Sequence, residues 1–238
     1  MNAQEGDVGM TAGLRIGLMV PNNNTTMERE LLAWLPEGTA CTTIRIPRGK
    51  GTLTLADIPA YVAQAIELAK AFARSPVDIV VYGCTAAGIL AGPARDAEIS
   101  AALCAITGSP AVTTANAMVE SLHHARAREV ALVTPYLDLV NEQLRAFLAQ
   151  ADIHVRKLSS FGAATTEALA RIGAEAVAER ARETMDEGCD ALFIACSQLP
   201  TYAILGGLAR EFGRPALSSI QATAWRARLE LGLAVAPS

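Results

Sequence analysis

The sequence predicts an α/β fold with two pseudo-symmetric, doubly wound lobes, each built on a four-stranded parallel sheet. Short apolar runs alternate along the chain with long amphipathic segments rich in alanine. These runs are continuously apolar, which is typical of parallel strands covered on both faces. Three pairs of similar segments also recur in the same order at separations of 114, 112 and 105 residues: 15–21 with 129–135, 78–85 with 190–197, and 108–114 with 213–219. A repeat of this length indicates a duplicated lobe rather than a solenoid.

The individual elements follow from length and periodicity. Eight apolar runs have the length of buried strands, at 14–20, 41–47, 77–83, 110–114, 129–135, 154–160, 189–195 and 215–219. Segments with apolar residues at helical spacing lie between them, chiefly at 25–35, 58–75, 115–126, 140–150, 167–188 and 222–232. We expect a flexible tail at 1–13, an N-terminal lobe from 14–117 plus 220–238, and a C-terminal lobe at 118–219.

Composition narrows the class of protein. Apolar residues make up 51% of the 238 residues and charged residues 18%, as in a well-buried globular protein. The net charge of −4 without a basic stripe argues against nucleic acid, and no apolar window is long enough for a membrane span. Residues 1–13 do not resemble a signal peptide, so the five cysteines are expected to be reduced thiols in the cytoplasm. The three histidines lack the spacing of metal ligands, so a metal site is not expected.

Two cysteines occupy equivalent places in the two halves. Cys84 and Cys196 each close an apolar run, and each is followed by a hydroxyl residue, Thr85 or Ser197. A thiol between a buried strand and a helix meets backbone N–H groups that favour a thiolate or an anion. A single such cysteine is equally well interpreted as a small buried apolar residue. Their pairing across the repeat favours a functional role in a cleft, whereas the other three cysteines are predicted to pack in the core.

Polar residues follow two other strands at the same predicted edge. Ligands in open parallel sheets lie beyond the carboxyl ends of strands, which here are the loops 21–26, 83–88, 135–141 and 195–202. Asn24 in the first loop could bind a carboxylate or only form a turn, and Tyr136 in the third could bind a ligand or only pack. We find no nucleotide-binding glycine motif, no lysine at a strand end and no histidine placed for a serine triad. Thiol chemistry without a cofactor is the candidate mechanism that these exclusions leave.

These segments resemble the aspartate/glutamate racemase superfamily, within it the branch of maleate cis–trans isomerases and arylmalonate decarboxylases. The resemblance covers about 14–225 and lies in VPNNNTTME, YGCTAAG, VTPYLDLVNEQL and ACSQLP. It implies two facing lobes, an active site between them and no cofactor. It also implies that Cys84 adds to a substrate double bond and that Cys196 transfers the proton. The residues implied to surround a small carboxylate substrate are Pro21, Asn24, Thr85, Ala86, Tyr136 and Ser197.

The sequence also departs from both groups of the branch. Thr165 stands where maleate isomerases carry a further asparagine, whereas arylmalonate decarboxylases have glycine at the position of Cys84. We therefore expect maleate-to-fumarate isomerisation, with an amino-acid or hydantoin-type racemase, an arylmalonate-type decarboxylase or a non-catalytic binding protein as alternatives. We further expect a homodimer or larger homo-oligomer, low thiol pKa values, anion binding without cationic side chains, and a plain connecting loop rather than a lid at 48–54.

Overall fold

The computed structural model describes residues 13–49 and 51–234. It contains two four-stranded, all-parallel sheets, which confirms the predicted fold class. The first sheet has the order β2-β1-β3-β4 and the second has the order β6-β5-β7-β8, so the two halves repeat one topology. The strands are β1 (Arg15–Pro21), β2 (Ala40–Ile46), β3 (Ile79–Tyr82), β4 (Ala111–Thr113), β5 (Glu129–Thr134), β6 (His154–Ser160), β7 (Ala191–Ile194) and β8 (Ala216–Ser218). The predicted tail at 1–13 falls almost wholly outside the described residues.

Ten helices lie among the described residues. They are α1 (Met27–Trp34), α2 (Ile58–Arg74), α3 (Thr85–Ala91), α4 (Pro93–Thr107), α5 (Thr114–His124), α6 (Asp138–Ala149), α7 (Thr166–Ala170), α8 (Ala174–Thr184), α9 (Tyr202–Phe212) and α10 (Ser219–Glu230). The C-terminal α10 packs against α1 and α5. None of these helices is long and apolar enough to cross a membrane.

Burial explains which strands are central. The side chains of β3 and β7 are all buried, whereas the edge strands β2 and β6 carry exposed polar and basic residues. The repeat extends to the strand starts: Asp78 accepts the N–H of Arg15 (2.7 Å), and Asp190 accepts the N–H of Glu129 (2.8 Å). Each aspartate precedes the central strand of its sheet and fixes the neighbouring strand against it.

One predicted helix is divided. The segment 167–188 was expected to be continuous, but it forms α7 and α8 with Gly173 capping the second. Glycine is a poor helix former, and its extended conformation here ends the helical path. The helices after the two cysteines also differ, because α3 begins directly after Cys84 while α9 begins only after Pro200. Proline disfavours helical geometry at the residue before it, which delays that start.

Candidate active site

The carboxyl ends of the strands of both sheets meet at one small buried cavity. It has a volume of about 40 Å³. That is room for a few water molecules, far below the several hundred cubic ångströms of a typical ligand pocket. Its lining combines all eight residues proposed from the sequence with four others: Pro21, Asn24, Cys84, Thr85, Ala86, Tyr136, Cys196 and Ser197, joined by Asn23, Arg48, Leu169 and Gln198. The structure thus brings one thiol from each half to a shared site.

Local packing explains how Cys84 reaches the cavity. A Cβ at Gly83 would lie only 2.5 Å from the sulfur of Met27 and 2.9 Å from Val20, so only glycine allows β3 to end so close to these side chains. The chain then turns into α3 at Thr85, which leaves Cys84 as the N-terminal cap residue. Cys196 follows β7 and enters a turn in which its carbonyl accepts the N–H of Leu199 (3.3 Å).

Burial dominates the electrostatics of both thiols. It raises the pKa of Cys84, while the N–H of Ala87, the Tyr61 hydroxyl and the positive charge of Arg48 act in the opposite direction. Burial likewise raises the pKa of Cys196, and the charge of Cys84 adds to this, against the N–H of Gln198 at 3.4 Å from Sγ. The expectation of low thiol pKa values is therefore wrong, because the desolvation of a buried site outweighs the donors around it.

Two buried tyrosine side chains place their hydroxyl groups beside the thiols. Tyr136 interacts with Cys196 and Thr85, and Tyr61 interacts with Cys84. Burial raises the pKa of both phenols, so each stays protonated and can act as a donor. We did not foresee Tyr61, because a tyrosine at helical spacing on α2 is indistinguishable in sequence from a core residue.

Asn24 is already fully hydrogen-bonded. Its Oδ1 accepts the N–H groups of Thr26 (3.1 Å) and Met27 (2.9 Å), so the Asn24 side chain satisfies the start of α1, where Thr26 is the N-terminal cap residue without a side-chain bond of its own. Its Nδ2 donates to the carbonyl oxygen (3.1 Å) and Oγ (3.2 Å) of Ser197, whose hydroxyl donates to the carbonyl of Gly83 (2.8 Å). This chain of bonds joins the two halves beside the thiols.

Further polar contacts extend the connection between the halves. The Thr25 N–H donates to Gln198 Oε1 (2.9 Å), and Thr85 Oγ1 donates to Ser219 Oγ (3.3 Å). The buried carboxylate of Glu30 accepts the N–H and hydroxyl of Thr201 at 2.9–3.1 Å and the N–H of the next residue at 3.1 Å. Glu30 lies on α1 and its donors lie at the start of α9, so this carboxylate fixes one lobe to the other.

The position of Arg48 differs from two expectations, namely that the site would lack cationic side chains and that 48–54 would be a plain connecting loop. Arg48 lies in the loop after β2 and lines the cavity with the thiols, so the site includes a cation and the loop is more than a connector. Strand β2 also ends at this edge of the sheet, and the rule that marked the other loops applies to it equally. Gly51 in the same loop forms a bridge with Thr165 before α7. Lys50 lies outside the described residues.

No group of three or more histidine, cysteine, aspartate or glutamate side chains within 13–49 and 51–234 could hold a metal ion. The candidate chemical groups are therefore two thiols, two phenols and one guanidinium. Such a set can add sulfur to an electrophilic carbon and move protons, with donors for a bound anion.

Two facing α/β lobes with a cysteine from each at one cleft define a fold of the aspartate/glutamate racemase-like superfamily. The family model for arylmalonate decarboxylase matches residues 16–238. The chain belongs to this family, which confirms the resemblance seen in the sequence.

Characterised relatives fall into both groups of the branch. The chain is 30% identical to a maleate isomerase of Nocardia farcinica over 230 residues, which cover 93% of this chain and 92% of the relative. It is 29% identical to an arylmalonate decarboxylase of Bordetella bronchiseptica over 182 residues, 75% of each chain. A solved structure of a cysteine-to-serine variant of the Nocardia farcinica maleate cis–trans isomerase has a covalently bound succinylcysteine intermediate. It shares 28% identity and a TM-score of 0.85, over 92% of this chain and 93% of that chain.

Proposed function

We propose that this protein is a cofactor-independent cis–trans isomerase that converts maleate to fumarate. The observation that carries the proposal is that Cys84 and Cys196, one from each half of the chain, line one pocket together with the buried side chain of Tyr136. The maleate isomerase relative and the succinylcysteine intermediate in its solved structure support the same chemistry.

In the proposed reaction, the thiol pair first loses one proton to solvent, which leaves Cys84 as thiolate and Cys196 as thiol. The sulfur of Cys84 forms a bond to one alkene carbon, and the π electrons move to the other carbon, which takes the proton of Cys196. The resulting single bond rotates. Cys196, now a thiolate, removes the proton, the carbon–sulfur bond breaks, and fumarate leaves with the thiolate of Cys84 restored. No oxidant or cofactor enters this balance.

The other pocket residues would hold the substrate. We assign the Tyr136 hydroxyl and the amide of Asn24 to a carboxylate, together with backbone donors near Thr85 and Ser197. The Asn24 amide must leave Ser197 to take this role, because both of its N–H groups are engaged. Pro21 and the small Ala86 form the wall against the substrate carbons.

The test is a proton NMR time course in D₂O with maleate, L-aspartate and phenylmalonate as separate substrates. Conversion of maleate to fumarate is expected for the wild-type protein. We expect a large loss of rate in Cys84→Ala and Cys196→Ala and none in Cys104→Ala, whose thiol is exposed outside the site. With maleate, Cys196→Ser should gain the mass of one maleic acid on Cys84. Loss of the aspartate α-proton with maleate unchanged would instead establish a racemase.

Decarboxylation of arylmalonates is the second candidate. It is favoured by the match to the decarboxylase family model and by Leu169, an apolar residue in the lining of the cavity. Formation of phenylacetate from phenylmalonate, without isomerisation of maleate, would establish it in place of the first proposal.

We also propose that the protein acts in the cytoplasm as a homo-oligomer, with lobes at 14–117 plus 220–238 and at 118–219. All five cysteines are free, which suits a reducing compartment. Leu137 and Leu139 are exposed beside each other where α6 begins and would suit a contact between copies. Light scattering of the purified protein tests the assembly.

A further inference from the structure

Arg48 is a cation inside the thiol cavity with no ionic partner among the described residues. The eleven ion pairs of that part of the chain do not include it. Its Nη2 donates to the carbonyl of Gly51 at 2.9 Å, which fixes the guanidinium to its own loop. Its Nε is buried and has no hydrogen-bond partner. A buried donor left unpaired is costly, so this Nε is available to donate to an acceptor that enters the site.

The loop that carries Arg48 also contacts the second half of the chain. The antiparallel bridge between Gly51 and Thr165 ties it to the second lobe. Thr165 itself does not line the cavity, because its hydroxyl caps α7 by accepting the N–H of Ala168 (3.1 Å). At the position where the resemblance led us to expect an asparagine, this chain therefore offers no pocket amide. Arg48 supplies a donor from the opposite side of the bridge.

The charge of Arg48 reaches the groups that would contact a substrate. The charge acts to lower the pKa of the Cys84 thiol and of the Tyr61 hydroxyl. It has the same effect on the exposed carboxyl of Asp57. Asp57 is hydrogen-bonded to Thr54 and does not pair with the guanidinium. A free guanidinium edge with adjacent N–H groups matches the two oxygens of a carboxylate.

We propose that Arg48 binds the second carboxylate of the substrate and so selects dicarboxylates over monocarboxylates. The proposal rests on the proposed function, because it assigns the first carboxylate to the Tyr136 side of the same cavity. The alkene carbons would then lie between the two carboxylate sites, within reach of the two thiols.

The experiment compares the wild-type protein with Arg48→Gln, Arg48→Lys and the control Arg74→Gln, which removes an exposed charge at the end of α2. Steady-state rates are measured with maleate and with monomethyl maleate, which lacks one carboxylate. In Arg48→Gln we expect KM for maleate to rise roughly 10- to 100-fold, the range of a charge-assisted hydrogen bond. The preference for maleate over the monoester should disappear. Arg48→Lys should recover part of it, because lysine keeps the charge without the planar fork.

Binding of maleate to Cys84→Ala, with and without Arg48→Gln, is measured by calorimetry to separate the two proposals. If the wild-type protein does not isomerise maleate but Arg48→Gln weakens its binding, the isomerase function fails and the Arg48 site stands. An unchanged KM, an equal loss on both substrates, or no maleate binding at all would overturn the Arg48 site.

Discussion

The substitution Asp96→Asn should remove a pH-dependent loss of stability. Asp96 lies on α4 with 1% of its surface exposed, accepts a short hydrogen bond from Thr113, and has no partner for Oδ1 among the described residues. Burial raises the pKa of this carboxyl from 3.8 to about 6. Its Oδ1 faces α3, since a Cβ at Gly88 would lie 2.6 Å away. The charge therefore sits directly behind the helix that follows Cys84.

The raised pKa of Asp96 makes the free energy of unfolding depend on pH. Between about pH 4 and 6 the folded protein keeps a proton on Asp96 that the unfolded chain has lost, so the stabilisation present at low pH is lost as pH rises. With about 1.4 kcal/mol for each pKa unit, ionised Asp96 lowers the free energy of unfolding at pH 7 by up to about 3 kcal/mol. Asparagine has nearly the same shape and never ionises. The variant should gain stability relative to the wild-type protein as pH rises from 4 to 7.

Urea unfolding of both proteins, followed by circular dichroism at pH 4, 5, 6 and 7, measures this difference. Taking the difference between the two proteins cancels the carboxylates whose pKa is lowered, such as Asp78 and Asp190. Thr113→Val serves as a control, because it removes the donor and leaves the ionisable group. A stability difference between Asp96→Asn and wild type that stays constant from pH 4 to 7 would refute the assignment.

Four other predictions concern the lobe contact, the core and the thiols. Glu30→Ala should lower the free energy of unfolding by about 3 kcal/mol or more, since it leaves the buried donors at Thr201 unpaired, with Glu30→Gln losing less in the same urea titration. Gly17→Ala should cost about 1–3 kcal/mol, because the new Cβ would lie 2.9 Å from the ring of Phe72, and an unchanged Tm would contradict this packing. An aromatic disulfide reagent should label exposed Cys104 at once and the two pocket cysteines only slowly, as peptide mass mapping can show. Burial raises the pKa of both pocket thiols, so kcat/KM for isomerisation should rise with pH from 6 to 9. A plateau below pH 8 would show that the thiolate forms more easily than the structure indicates.

The architecture was predictable because it depends on patterns that survive in a single sequence. Continuous apolar runs marked the central strands such as β3 and β7, the more polar edge strands β2 and β6 were recognised from their length and position between helices, and the internal repeat indicated that the two halves are built alike. The break between α7 and α8 was not predicted, because alanine-rich helical spacing runs through 167–188 on both sides of the single Gly173.

The site residues that directly follow a strand could be predicted from the sequence. The properties of the site that depend on burial in the folded protein could not. A cysteine at a strand end is recognisable in sequence, and both pocket cysteines were found in this way. The pKa of a thiol depends on how much water the folded site excludes, and the sequence contains no measure of that. Tyr61 looks like an ordinary core residue, and Arg48 looks like an ordinary loop cation until the fold places it in the lining of the cavity.

The buried polar contacts between the lobes have a consequence for how the enzyme can be altered. Asn24 with Ser197 and Glu30 with Thr201 join the two halves through buried hydrogen bonds, so substitutions at these positions would disturb the packing that brings the two thiols together. The loop that carries Arg48 and the short α7 are joined by a single bridge, and each contributes one side chain, Arg48 or Leu169, to the lining of the site. Substitutions in these two segments should therefore redirect the protein to other carboxylates while leaving both thiols in place.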